Sequence, residues 1–474
     1  MGIALLLLVR TLGSRPKRTL LFLLGYGLAT AVMVTLLAVG EAVLQQARDK
    51  DLLGGGDLIL VPQGIDLESM KVGGITALYY SIPEARFLVR QVLRSSRFRS
   101  SIDTVSPYIV PKLVYLRQAK STLPPVTCYA EGSLPDQENR LKTPVLPWKN
   151  NPEDNLWTDS SGEEFYHNID HFHLPSVDSP DMKRWAEWHY FNFESTKFYG
   201  YLSIMVAGNI LKNEAQWVVS LQIYDESYKK YTATYPASKE SLPLRIVDYH
   251  VGSNNVRFEK DHYEIDLDFQ DRVAINGHLS YYPAAGLYFP PTFLVRTKDF
   301  ESGYVIPAIR GKYEGTIRIG NATYDFHEVD GYHDHNWGIW RQIVWNWGHA
   351  FSNNFAIFFG EIFLNDRSKG LFAGIYDRNG FVTLFRPESI RLSNYENRVP
   401  RHLQITAEKR FSAFTLSGTA NRFVTTPLED SHLEFVQLNM NYALKLMIDG
   451  KEYSEKASGN AETFVSTKPT QSTK

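Results

Sequence analysis

The stretch Gly331-Tyr332-His333-Asp334-His335-Asn336-Trp337-Gly338 sets four ionisable or amide side chains in a row between aromatic ones, and Trp345, Trp347 and His349 follow closely. Polar groups at this density are costly in a plain strand, because each must find a partner once buried. A second cluster, Trp185, Glu187, Trp188, His189 and Tyr190, stands well upstream. In an extended chain His333, His335 and Trp337 share one face while Tyr332, Asp334 and Asn336 share the other. If Asp334 faces an apolar, Trp-lined cavity, desolvation keeps its carboxyl protonated and able to protonate an alkene, with His333 or His335 assisting. If the histidine pair faces it, their i, i+2 spacing suits a metal, but no third ligand is evident and neither metal nor cofactor is expected. The third alternative is a buried hydrogen-bond network at a domain junction. Glu187, Trp188, Tyr190, Tyr332, Asn336, Trp337, Trp345 and Trp347 are the expected ligand-lining residues, and Asp334, His333 and His335 the expected catalytic ones. Trp188, Tyr190, Tyr332, Asp334 and Trp337 are expected on one cavity, which needs a bulge or strand end to bring Trp337 beside Asp334.

The elements around these clusters read as strands. Tyr263, Ile265, Leu267 and Phe269 alternate with Glu264, Asp266, Asp268 and Gln270, the signature of a half-buried strand. Gly320-Asn321, Asn379-Gly380 and Asp449-Gly450 read as two-residue hairpin turns between such runs. Helical periodicity is nearly absent from this part. The expected class is mainly β: two tandem antiparallel barrels over 173–325 and 326–466, closed so as to hide their edges. Residues 136–172, rich in Pro, Asn, Asp, Ser and Glu, read as a linker, and 467–474 as a disordered tail.

Glu187 to Tyr190 and the GYHDHNWG stretch at Gly331 to Gly338 resemble the carotenoid hydratase/AttH family. The resemblance implies two lipocalin-like barrels over roughly 172–465, and it implies fold more firmly than reaction. Position 189 is His where the family more often has Trp-Trp-Tyr, so its ligand chemistry need not carry over.

The N-terminal part has a different character. Leu20 to Val39 is free of charge, long enough for a membrane-spanning helix. Arg10, Arg15, Lys17 and Arg18 precede it and Glu41 follows, so the positive-inside rule predicts a single pass with the N-terminus inside and the bulk outside a bacterial cytoplasmic membrane. The basic flank, this helix and Gly56 to Pro62 resemble the start of MacB/FtsX-type ABC permeases. That resemblance implies an α+β segment over 46–135 after an anchor at 1–45, and an ABC-type exporter as partner. The helix-like run Ile82 to Ser95 and the strand-like run Thr104 to Leu116 fit such a segment.

Net charge is −2, which sets nucleic acid aside as a partner, and the lone Cys128 excludes an intrachain disulfide. Aromatic residues make up 13% of the chain, a supply that sheets and ligand cavities both draw on. The leading expectation is therefore a membrane-anchored, lipocalin-like protein that binds a lipid- or polyene-like molecule beside an exporter. Its rival is a hydratase or isomerase that protonates an alkene.

Overall fold

Burial follows the alternation in the sequence: in the strand His262–Gln270, Tyr263, Ile265, Leu267 and Phe269 are buried and their neighbours are not. Repeated along the chain, this pattern builds a mainly β protein with one N-terminal apolar helix. The computed structural model describes residues 2, 13–48, 60, 80–94, 101–117, 126–141, 147–159, 162–176, 179–296, 301–340, 343–364, 367–409, 412–428, 432–448 and 450–466. The 467–474 tail and much of the expected permease-like stretch lie outside these residues.

The chain divides into two compact units, Met1–Ser81 with Ser106–Asn150, and Ile82–Val105 with Asn151–Lys474. In the first unit, the helix Pro16–Arg48 contains the span Pro16–Gly40, with a mean hydropathy of 2.2 and no part of it buried. Its length and composition suffice to cross a bilayer. The same unit holds the antiparallel pair Tyr108–Leu116 and Val126–Ser133, followed by the short helix Pro135–Leu141.

The second unit carries two antiparallel sheets of related topology. The first has eleven strands between Trp185 and Ile339, the second nine between Ile343 and Ser466. In each, the first strand pairs with the last: Trp185–Glu194 with Ala322–Ile339, and Ile343–Phe351 with Lys451–Ser466. The open edges fall between consecutive strands, Tyr228–Ala237 and Asp248–Val251 in one sheet, Gly380–Phe385 and Ile390–Glu396 in the other. Each sheet is thus nearly closed, which leaves little edge for stray pairing. Two-residue turns join neighbours as expected: Ile319 pairs with Ala322 and Ile448 with Lys451. At the third turn Asp377 pairs with Gly380, so the loop is Arg378-Asn379, one residue earlier than the sequence indicated.

Three stretches depart from the sequence reading. The first sheet runs on through Ile339, so Gly331 to Gly338 lies on its last strand and does not open the second sheet. The helix Ile82–Arg94 groups with the second unit, dividing the stretch 46–135 between the two units. The cause is its buried face: Phe87 packs on Tyr288 and Phe381, and the Arg90 guanidinium lies 3.9 Å over the Phe165 ring. Residues 163–172, expected as linker, form the helix Glu163–Asp170 and a following turn that fill the first sheet's interior. Phe165, Tyr166, Ile169 and Phe172 recur on one helical face and are all buried, with Tyr166 stacked on Phe258 at 4.2 Å and Phe172 edge-on to Trp217. The polar composition around them had masked that face.

Candidate functional site

The strands Trp185–Glu194 and Ala322–Ile339 pair without a register break, bringing the two clusters picked from the sequence side by side. His335 lies opposite His189, Trp337 opposite Glu187 and His333 opposite Phe191 on one face. Asp334 lies opposite Tyr190, Asn336 opposite Trp188 and Tyr332 opposite Asn192 on the other. Directly opposed residues of an antiparallel pair project to the same side, so one strand pair serves two environments.

The first environment is the interior of the first sheet. Asp170, carried in by the filling segment, accepts hydrogen bonds from Tyr263 Oη at 2.8 Å and pairs with His333 Nε2 at 2.9 Å and His335 Nδ1 at 3.1 Å. His335 Nε2 meets Glu187 Oε1 at 2.8 Å, and Glu187 also accepts the His173 backbone N–H and pairs with its Nδ1. All of these groups except His173 are buried. Burial alone would raise the Asp170 carboxyl, but the His333 and His189 imidazoles hold it well below the usual carboxylate range. Burial would likewise lower His335, yet hydrogen bonds with Asp170 and Glu187 lift it to about 9. His189 is pushed well down by burial and then by His335, so it is neutral. Its ring is stacked on His335 at 3.9 Å, and neither of its nitrogens makes a hydrogen bond. The His333–His335 pair does not itself form a donor set: His335 alone joins two groups, and His333 is in neither. Asp170, His189 and His335 offer donor atoms within 4.8 Å of one another, and so do His173, Glu187 and His335.

The second environment is the layer between the two sheets. From the second sheet, Trp345 lies 6.3 Å from Trp188 and 5.4 Å from Trp340, Trp347 meets Tyr304 edge-on at 5.1 Å, and His349 stacks on Tyr332 at 4.3 Å. Polar groups thread between the rings. Trp345 Nε1 donates to Glu462 at 2.9 Å, Tyr201 Oη to Gln437, and Asn460 Nδ2 to Asn192 at 3.0 Å. Asp334 accepts from Tyr332 Oη at 2.8 Å and from Asn336 Nδ2 at 3.0 Å. Burial pushes its carboxyl well above the usual range and nearby Glu462 adds to this, outweighing those two hydrogen bonds. Trp188, Tyr190, Trp340, Trp345 and Glu462 are only half-buried, yet burial raises the pKa of both Tyr190 and Glu462.

The sequence-picked residues therefore split. Trp188, Tyr190, Tyr332, Asp334, Asn336, Trp345 and Trp347 meet between the sheets, whereas Glu187, His333, His335 and Trp337 point into the first sheet's interior. A single cavity shared by Asp334 and Trp337 does not form, because the unbroken register supplies no bulge. Trp337 instead stacks on His173 at 4.1 Å. Gly303 opposite it makes room, since a Cβ there would come within 2.5 Å of the indole. Asp170 and His173 were not among the sequence-picked residues, and His189, a member of the upstream cluster, was given no role there. Asp170 and His173 sit in NIDHFH, where the buried-face spacing of Ile169 and Phe172 was the available signal. A hollow of about 550 Å³ lined by Tyr282, Arg310, Lys312, Glu314 and Glu328 holds none of the expected site residues.

Neither a protein-family model nor a curated protein matches the chain. Among solved structures it is similar to an AttH-like protein of Nitrosomonas europaea, at 13% identity and a TM-score of 0.41 over 62% of this chain and 97% of the other. It is also similar to CghA bound to Sch210972, at 10% identity and a TM-score of 0.45 over 65% and 98%. A third is kievitone hydratase of Nectria haematococca, at 13% identity and a TM-score of 0.40 over 65% and 96%.

Proposed function

We propose that this chain is a membrane-anchored protein that holds a hydrophobic, lipid- or polyene-like molecule between its two sheets. One observation carries the reading: half-buried Trp188 and Trp340 on the side of the first sheet meet Trp345 of the second, with Tyr190, Asp334, Asn336 and Glu462 nearby. Broad apolar walls with a few fixed polar groups are what an oriented hydrophobe requires. The exposed apolar helix supports delivery from a bilayer. An ABC-type exporter is the partner to which the N-terminal resemblance points.

A second reading makes the same layer an active site. Asp334 sits among aromatic faces that shield a cation, the arrangement an alkene hydratase or isomerase uses. Asp334 gives its proton to one alkene carbon, water adds to the other, and the proton lost by that water restores the acid.

The test uses the full chain in liposomes with a diazirine-bearing fatty acid. Cross-links are expected in peptides containing Trp188 or Trp345 and should fall at least tenfold in Trp188→Ala. Labelling restricted to residues 20–39 would overturn the proposal. Turnover of a conjugated polyene that Asp334→Asn abolishes, while labelling persists, would establish the second reading.

A further inference from the structure

We propose that Asp170, His189 and His335 form a binding site for one divalent transition-metal ion of the zinc type. The site is separate from the layer between the sheets, and it does not depend on the function proposed for that layer.

Three donors come from three segments: Asp170 from the filling helix, His189 from the first strand and His335 from the last. Asp170 Oδ1 lies 3.1 Å from His335 Nδ1 and 3.5 Å from His189 Nδ1. Bonds of about 2.0–2.1 Å in a tetrahedron place donor atoms roughly 3.3 Å apart, so these two spacings need little adjustment, while the two imidazole donors, within 4.8 Å of each other, must close on the ion together. Two imidazoles and a carboxylate match zinc or cobalt, whereas calcium and magnesium prefer oxygen alone.

His189 supplies the independent observation. Its ring is fully buried, and neither nitrogen makes a hydrogen bond, although it stacks beside His335 and faces Asp170. A buried imidazole without a hydrogen bond carries an uncompensated desolvation cost, which a metal bond would offset.

The outer partners also fit. His335 Nε2 meets Glu187 Oε1 at 2.8 Å, the carboxylate–imidazole pairing that fixes the ring of a metal-bound histidine. Asp170 Oδ2 is held by His333 Nε2 and Tyr263 Oη, which leaves Oδ1 directed at the two other donors. Three protein donors leave a fourth position for water. The ion would pin the filling segment to both strands of the pair.

Full-length protein in detergent, stripped with chelator and dialysed, is titrated with Zn²⁺ alone by calorimetry and with Co²⁺ by visible absorption. One ion per chain and a tetrahedral cobalt band are expected. His189→Ala should weaken binding at least a hundredfold, while His173→Ala and the surface variant His278→Ala retain it. X-ray absorption of the zinc-loaded wild type should show a first shell at about 2.0 Å containing two imidazole nitrogens, a readout independent of any variant's folding. Absence of saturable binding would overturn the proposal and leave a proton between Asp170 and His335 as the balancing charge. So would an oxygen-only shell, or binding that His173→Ala abolishes and His189→Ala spares.

Discussion

The two faces of the strand pair Trp185–Glu194 and Ala322–Ile339 present opposite electrostatic environments. Inward, His189, His333 and His335 meet Asp170 and Glu187, and the carboxylates stay ionised because imidazoles surround them. Outward, Tyr190, Tyr332 and Asp334 meet the aromatic residues of the second sheet, and the carboxyl stays neutral because it is desolvated. A period of two lets adjacent residues do opposite electrostatic work with no break in the backbone. The inward face ties the filling segment to both strands, and the outward face is the one proposed to meet a ligand.

The largest expected effect is on the inward face. Asp170→Asn strips one carboxylate from a buried cluster and leaves His335 short of a counter-charge, at a cost of about 3–5 kcal/mol. Urea denaturation measures it, and a loss below about 1 kcal/mol would remove the contrast between the faces. Trp188→Ala is expected to cost about 2 kcal/mol, less than for a fully buried tryptophan because the ring is half-buried. Its main effect should be the loss of hydrophobe labelling, and a large loss of stability with labelling intact would reverse the assignment.

Asp334→Asn should change stability by less than about 1 kcal/mol, since the amide replaces a carboxyl already held neutral. Thermal unfolding at neutral pH checks this. A pH dependence is expected at Glu194, which shares the outward face and whose pKa burial raises from an ordinary 4.5 to about 7, against hydrogen bonds from Asn439 and Ser458. A carboxyl raised on folding contributes fully below its unfolded value, and that contribution is lost as pH climbs from about 4.5 to about 7. Melting curves across this window should fall less for Glu194→Gln than for wild type. Equal slopes would place Glu194 in contact with water.

What the sequence revealed tracks the range of the signal. Alternation in Tyr263–Phe269 and the turn at Gly320-Asn321 are local, and both appear in the structure where they were read. The division of Gly331–Gly338 into two faces followed from period two alone. Pairing of first with last strand joins residues such as Trp188 and Asn336, far apart in the chain, and no local pattern specifies it. Asp170 escaped notice for a related reason. Its neighbours are polar enough to read as linker, and only the closed sheet shows that Phe165, Ile169 and Phe172 have an interior to fill.

The division between the faces can be measured in one spectrum. The chain has nine tryptophans, and biosynthetic 5-fluorotryptophan gives each a fluorine resonance, assigned by single Trp→Phe substitutions. On addition of a polyene fatty acid to the full-length protein, Trp188, Trp340 and Trp345 should shift while Trp337 and Trp217, on the inward face, stay in place. A shift of Trp337 with Trp188 unmoved would put the ligand inside the first sheet and contradict the account.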